Sequence, residues 1–367
     1  MAFERLLQRT WRENILFSVL VELTYRCNLD CSFCYNDVGL RGVPLSTEQY
    51  VQLFEDLREM QVLNLILSGG EPLAHPDFFA LGAKARELGF VVRVKSNGHG
   101  LRGRVARRLR EEVDPFVVEI SLHGARAETH DRQTRVPGSF DRLMANIPEL
   151  RDLGIRLKLN STLTRWNEGE IEEIFALADA LGVPIAVNPI VSPRDDGDRN
   201  PLELTASREG RLGLFRIMNR RAAELSERGE APRVELAGPD EGLAPDAVEK
   251  NCGAGSNGLT IDPYGNVLPC VAFRRPVGNL HEATLREIWE HAEGLVEVRE
   301  LAVAAGRMVD AEGPTGRMMA FCPGHAHSES GDPLLVYPQA AERRELIEQV
   351  LREDEAGLRR ELLPVVY

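Results

Sequence analysis

The chain has 367 residues, of which 43% are hydrophobic, and its 57 Asp and Glu against 44 Lys and Arg leave a formal net charge of −13. This size fits one large domain with a smaller one, and the acidic balance argues against a broad nucleic-acid interface, which needs a basic surface. Since the sequence has neither an apolar run of about 18 residues nor a signal-peptide pattern, we expect no membrane association and a cytoplasmic location.

The first half of the sequence predicts alternating strands and helices. After a lead-in over residues 1–14, runs rich in β-branched residues predict six strands. Between them, apolar residues recur at helical spacing, as at Val51, Phe54 and Leu57. Six strand–helix units at roughly 30-residue spacing indicate a parallel βαβ architecture. The predicted strands cover residues 15–24, 64–67, 91–95, 116–122, 156–163 and 185–191.

The first predicted strand leads directly into three cysteines. Cys27, Cys31 and Cys34 form a C-x3-C-x2-C pattern, with Phe33 just before the third thiol. Thiolates are the ligands of iron–sulfur clusters, and three of them leave one iron of a [4Fe–4S] cluster open to a substrate or cofactor. A zinc site or three core cysteines is the alternative. Zinc prefers four ligands, and no further Cys or His lies near this loop in sequence, since His75 is the first histidine.

The second predicted strand ends in the glycine-rich loop Ser68 to Pro72, which reads SGGEP. Gly69 and Gly70 let a backbone approach a ligand closely, and Glu71 supplies a fixed anionic acceptor. In (β/α) barrels, active sites form at the carboxyl ends of the strands. We therefore expect the cysteine loop and the glycine-rich loop to belong to one site.

These motifs resemble those of the radical S-adenosylmethionine (SAM) superfamily, as do SNG over residues 96–98, SLHG over 121–124 and HDRQTRVPGSFD over 130–141. The resemblance implies that Cys27, Cys31 and Cys34 hold a [4Fe–4S] cluster whose fourth iron is chelated by SAM. It also implies that one electron from the cluster cleaves SAM to methionine and a 5′-deoxyadenosyl radical, which takes a hydrogen atom from a substrate. The candidate cofactor-binding residues are Phe33, Gly69, Gly70, Glu71, Pro72, Asn97, Ser121, Arg135, Asn160 and Asn188.

The resemblance implies an α/β fold built as a partial (β/α)6 TIM-type barrel. One departure concerns His123, because relatives often read S-L-D-G where this chain reads SLHG. Its role stays open between a ribose contact, a substrate contact and no role. No catalytic hydrogen donor or acceptor is assigned; His123 and Tyr264 are the candidates.

A second metal module is predicted near the carboxyl end. Short apolar stretches on both sides of residues 262–265 (DPYG) predict a β-hairpin, which would bring Cys252 towards Cys270. The region resembles the SPASM/Twitch extension of radical SAM enzymes, which implies a small C-terminal α+β extension. It implies a second, auxiliary [4Fe–4S] cluster at Cys252, Cys270 and Cys322, with His325 as a candidate fourth ligand because His can replace Cys. An iron left open for substrate and a mononuclear zinc are the alternatives.

Domain boundaries follow from these motifs. We expect a barrel over residues 15–200, a helical linker over 201–250, an auxiliary metal domain over 251–335 and a helical tail over 336–367. Only 26 residues precede Cys27, so we expect the leader-binding module of many peptide-modifying relatives to be absent and a separate leader-binding protein to replace it.

The resemblance implies two substrate classes. The first is maturation of a ribosomal peptide or protein side chain, and the second is oxidation or rearrangement of a small metabolite or cofactor precursor. Either would need an external one-electron reductant such as flavodoxin or ferredoxin. A non-catalytic iron–sulfur electron carrier is the alternative of another class, and failure to form 5′-deoxyadenosine would favour it.

Overall fold

The computed structural model describes residues 2–227 and 250–353. Six parallel strands stand side by side in chain order, which confirms the predicted parallel architecture. Four of the six strands are one to three residues shorter than predicted at one or both ends, whereas the second and third end one residue later than predicted. The six strands are β1 (Ser18–Glu22), β2 (Asn64–Ser68), β3 (Val91–Ser96), β4 (Val117–Ser121), β5 (Leu157–Thr162) and β6 (Ile185–Asn188).

Helices cover the convex face of this sheet. Alternate strand residues such as Val19, Val21, Leu65 and Leu67 are fully buried there, because successive side chains of a strand point to opposite faces. One helix, over residues 127–134, has a largely polar sequence and was not predicted. The helices of this half are α1 (Ala2–Glu13), α2 (Thr47–Glu59), α3 (Phe78–Glu87), α4 (Gly103–Arg108), α5 (Ala127–Thr134), α6 (Ser139–Asp152) and α7 (Ile171–Leu181).

The predicted hairpin is confirmed, and it continues the barrel sheet. β7 (Gly258–Ile261) pairs in parallel with β1, and β8 (Asn266–Leu268) and β9 (Gly278–Asn279) follow in antiparallel order. The result is a nine-stranded sheet in the order β6-β5-β4-β3-β2-β1-β7-β8-β9. Strand β1 would otherwise be an edge with unpaired backbone groups, and β7 satisfies them. The hairpin therefore lies directly beside the strand that leads into the first cysteine loop.

The remaining helices pack around the two halves. The helix over residues 208–227, within the predicted helical linker, and the helix of the predicted tail contact each other, with Arg211 paired to Glu342 and Arg216 to Glu353. Residues 228–249 of the predicted linker, and the tail after residue 353, lie outside the described residues. No helix in the described parts of the chain is long and apolar enough to cross a membrane. These helices are α8 (Arg208–Glu227), α9 (Leu285–His291), α10 (Glu293–Ala311), α11 (Pro323–Ser330) and α12 (Pro338–Glu353).

Candidate active site

The loop after β1 brings Cys27, Cys31 and Cys34 together as free thiols. The amide of Cys34 donates to the Cys31 carbonyl at 3.1 Å and forms a tight turn. Burial raises the pKa of Cys31, and the thiolates of Cys34 and Cys27 raise it further by repulsion, so the three sulfurs share one site. Such an all-thiol donor set fits three irons of a [4Fe–4S] cluster. Within residues 2–227 and 250–353, no three His, Cys, Asp or Glu side chains are arranged as for a single metal ion.

The glycine-rich loop after β2 packs directly on the cysteine loop. The Gly70 amide donates to the Thr24 carbonyl at 2.7 Å, and the Glu71 amide donates to the Arg26 carbonyl at 3.0 Å. Gly69 has φ 134°, which favours glycine. A Cβ on Gly70 would lie 2.6 Å from the carbonyl oxygen of Tyr25. We expected these glycines to let the backbone approach a ligand closely. They also let it approach the segment that carries the cysteines.

Glu71 fixes the end of β3 through its buried carboxylate. One oxygen accepts from Ser96 Oγ at 2.9 Å and from the Leu73 amide at 3.2 Å, and the other accepts from the Asn97 amide at 2.8 Å. Burial raises the pKa of Glu71 to about 7, although these three hydrogen bonds oppose the shift. Its role in binding SAM stays a prediction.

Asn97 connects the candidate SAM-binding residues to the cysteine loop. Its Nδ2 lies 2.8 Å from Asn28 Oδ1 and 3.8 Å from Cys27 Sγ. Ser121 and Asn160 stand opposite each other on β4 and β5. The register of β3 with β4 places Asn97 level with them. Three of the predicted cofactor-binding residues therefore form one layer at the carboxyl ends of adjacent strands.

Other predicted cofactor-binding residues lie apart from this layer. Arg135 pairs with Asp30 of the cysteine loop at 3.3 Å, and its side chain is 54% exposed. It adopts a left-handed conformation with φ 56° at the end of α5. Asn188 is exposed and accepts from the Ile190 amide at 3.0 Å. The roles of Arg135 and Asn188 towards SAM stay predictions.

His123 is buried beside Phe33, the residue before the third cysteine, and their ring centroids are 4.7 Å apart. Its Nδ1 accepts from the Thr162 amide at 3.2 Å. Burial, and then the neighbouring His130, lower the pKa of His123 to about 3. A neutral ring with one nitrogen already occupied does not suit a proton carrier near neutral pH, whereas it suits the positioning of Phe33.

Tyr264, the other catalytic candidate, lies at the turn between β7 and β8. Its hydroxyl donates to the Leu40 carbonyl at 2.9 Å. Its ring meets that of Tyr25 edge-on at a centroid distance of 6.0 Å. These contacts stabilise the segment after the cysteine loop. They do not indicate a catalytic role for Tyr264.

A second set of thiols lines one cavity between the hairpin and α10. Burial raises the pKa of Cys252 to about 11 and that of Cys270 to about 12, and the thiolate of Cys322 adds to both shifts. All three are free, so the donor set is again made of thiols and fits an iron–sulfur cluster. Helix α10 was not predicted, yet it covers this cavity. The apolar lining includes Phe273, Val298 and Leu301.

His325, the candidate fourth ligand, is directed away from this cavity. Its Nδ1 lies 3.2 Å from Ser192 Oγ, and its ring packs on Tyr337 at a centroid distance of 6.1 Å. Within the described residues it does not line the cavity of the three cysteines. Its role as a ligand stays a prediction.

Arg274 connects the two thiol sites and was missed by the sequence analysis. It donates to Glu22 at 3.0 Å, to Asp195 at 2.8 Å and to the Tyr25 hydroxyl at 2.8 Å. The one available signal was Glu22, an acidic residue in the apolar run over residues 15–24, because a buried carboxylate needs a cationic partner.

Comparison with known proteins gives matches to both halves. Residues 21–178 match the sequence model of the radical SAM superfamily, and residues 252–309 match that of an iron–sulfur cluster-binding domain. The chain is 34% identical to a PqqA peptide cyclase of Ruegeria pomeroyi, over 74% of this chain and 73% of that protein. It is 29% identical to an AdoMet-dependent heme synthase of Methanosarcina barkeri, over 85% of this chain and 93% of that protein. The solved structure of native anSMEcpe with bound AdoMet superimposes with a TM-score of 0.66 at 15% identity, over 92% of this chain and 100% of that chain.

Proposed function

Because the chain belongs to the radical SAM superfamily, we propose that Cys27, Cys31 and Cys34 hold its SAM-binding [4Fe–4S] cluster. The observation that carries this assignment is the position of Asn97, which lies 3.8 Å from Cys27 Sγ and level with Ser121. SAM placed on the layer of predicted cofactor-binding residues would therefore lie beside the three thiols.

When bound, the cluster would supply the electron for reductive cleavage of SAM, the one-electron chemistry needed to remove a hydrogen atom from the substrate. The residues of this chain bind SAM and orient the loops that surround the cluster. Glu71 holds the end of β3, Gly70 lets the glycine-rich loop contact the cysteine loop, and Phe33 is held by His123. We assign the auxiliary cluster of the second domain to Cys252, Cys270 and Cys322.

The substrate that we propose first is a ribosomal peptide or protein side chain. Its support is the 34% identity to a PqqA peptide cyclase. A separate leader-binding protein, a flavodoxin or ferredoxin as reductant and a cytoplasmic location belong to this proposal. A small metabolite or cofactor precursor is the second candidate, and it is favoured by the similarity to the heme synthase over 93% of that protein.

The test is anaerobic reconstitution followed by reaction with SAM and dithionite. We expect 5′-deoxyadenosine and methionine by mass spectrometry, and at least a tenfold loss in Cys34→Ala, with Cys322→Ala as the comparison that leaves the first site intact. A precursor peptide encoded beside this chain should then change in mass, whereas a turnover stimulated only by a porphyrin would favour the second class. Absence of 5′-deoxyadenosine from the wild type would overturn the enzymatic proposal.

A further inference from the structure

The concave face of the barrel is open to solvent. Arg93 and Lys95 point into it from β3, a central strand of the sheet, yet their side chains are 32% and 42% exposed. In a complete eight-stranded barrel the same positions are filled by packed side chains. Here six strands leave a space in which long polar side chains reach water.

A row of charged residues crosses this concave face. The register of the sheet places Lys95 opposite Glu119, and Glu119 opposite Lys158, on three adjacent strands. Neighbouring strands lie about 4.8 Å apart, so the side chains of the row share one region of the space. Arg93 lies one pleat below Lys95 on the same face.

Positive charge is in excess in this row. Glu119 is 5% exposed and pairs with Arg93 at 2.5 Å and with Lys95 at 3.8 Å, and it accepts from Asn160 at 3.0 Å. Lys158 has no hydrogen-bond or salt-bridge partner among residues 2–227 and 250–353. Three cations therefore face one carboxylate in a chain whose net charge is −13.

A cavity of about 580 Å³ opens next to this row at the amino-terminal ends of β4, β5 and β6. Such a volume is typical of small-molecule sites. Its lining, as described, contains four Lys or Arg and no Asp or Glu. Arg151 donates to the Leu181 carbonyl and Arg156 lies 4.1 Å from the Phe116 ring centroid, so both have structural partners. Arg93 and Lys158 are the lining cations that point into the barrel.

We propose that Lys95 and Lys158, with Arg93, bind an anionic oxygen group of the substrate, a carboxylate or a phosphate. This inference rests on the proposed function, since it names the chemistry of the molecule that reacts. The layer of Asn97, Ser121 and Asn160 lies two residues further along the same strands, a distance of about 7 Å. An acidic group held by the lysines would thus fix the substrate below SAM, and the lysines would be substrate-binding residues.

The experiment measures binding to the reconstituted full chain by isothermal titration, without turnover. The probes are tricarballylate, its uncharged triamide and inorganic pyrophosphate. We expect one of the two anions to bind and the triamide not to bind, and the stronger anion identifies a carboxylate or a phosphate site. Lys95→Met and Lys158→Met should each weaken binding about tenfold, as expected for loss of a charge-assisted contact. Glu119→Gln should strengthen binding.

Lys84→Met is the matched control, because Lys84 pairs with Glu55 at 3.1 Å on the helical side of the sheet. It should bind the anion as the wild type does, and SAM affinity should be unchanged in the three lysine variants. The inference would be overturned if the wild type bound neither anion, or if Lys95→Met and Lys158→Met both bound the anion unchanged. A parallel loss of SAM binding in these two variants would also overturn it. Formation of 5′-deoxyadenosine without anion binding would support the proposed function and contradict the anion site. Anion binding without 5′-deoxyadenosine would support the anion site and contradict the proposed function.

Discussion

The guanidinium of Arg274 donates to the carboxylate of Glu22 at a distance of 3.0 Å, in a pair whose side chains are 14% and 0% exposed. Glu22 ends β1 and precedes the first cysteine loop, whereas Arg274 follows Cys270 of the second thiol set. Asp195, in the loop after β6, pairs with the same guanidinium at 2.8 Å. One arginine of the auxiliary region therefore holds both the strand that carries the first site and the last loop of the barrel.

Arg274→Met should destabilise the protein by about 3–5 kcal/mol, because it leaves the buried Glu22 without its cationic partner. Arg275→Met is the matched control. Arg275 forms an exposed pair with Glu297 at 2.5 Å, and its loss should cost less than about 1 kcal/mol. The free energy of unfolding from urea titration checks both values. Equal losses in the two variants would contradict the role of Arg274.

Gly70→Ala should separate the glycine-rich loop from the cysteine loop, since its Cβ would lie 2.6 Å from the Tyr25 carbonyl. We expect a loss of about 1–3 kcal/mol in stability, as for overpacking, and at least a tenfold loss of 5′-deoxyadenosine formation. Gly213→Ala has no atom within 4 Å of the new Cβ and lies inside α8, so it should keep activity and gain up to about 1 kcal/mol. Normal turnover by Gly70→Ala would show that the contact tolerates a methyl group.

Glu71→Gln should change how stability depends on pH. Burial raises the pKa of Glu71 from its ordinary value of 4.5 to about 7 in the folded protein. The stabilisation from this raised pKa is complete below pH 4.5 and is lost as the pH rises through about 7, a difference of about 3 kcal/mol. The free energy of unfolding of the metal-free protein should be measured by urea titration in roughly four steps between pH 4 and pH 8. It should decline with rising pH in the wild type and not in the variant.

The control for this comparison is Glu59→Gln, because the Glu59 side chain is 74% exposed. It should follow the wild-type profile. If the profiles of wild type and Glu71→Gln are parallel, burial does not control the protonation of Glu71.

Replacing Cys27, Cys31 and Cys34 together by Ala should leave an auxiliary cluster in the reconstituted protein. The reason is that Cys252, Cys270 and Cys322 line their own cavity. We expect about four irons and four sulfides per chain to remain. Loss of all iron, or zinc in its place, would show that the second thiol set is not a cluster site.

In this triple-Ala background, His325→Ala should keep the remaining iron, because His325 faces Ser192 and Tyr337. His291→Ala is the matched control, since its side chain is 76% exposed. Iron analysis and the electron paramagnetic resonance spectrum of the reduced protein check the result. A loss of iron that is confined to His325→Ala would establish it as the fourth ligand.

The sequence by itself determined the six parallel strands, the hairpin near Tyr264 and the motif around Cys27. These features depend on residues close in the chain, since side-chain alternation, turn residues and the spacing of thiols are local patterns. The polar helix α5 and helix α10 were missed. The sequence of α5 is polar and has no apolar stripe.

Only the tertiary structure decided how distant segments meet. Pairing of β7 with β1, the contact of Arg274 with Glu22 and the direction of His325 towards Ser192 each join residues more than 100 positions apart. The excess positive charge beside Lys158 likewise depends on the register of three strands. Backbone hydrogen bonding and the cost of burying an unpaired charge select these contacts, and both act between segments whose approach no local pattern specifies.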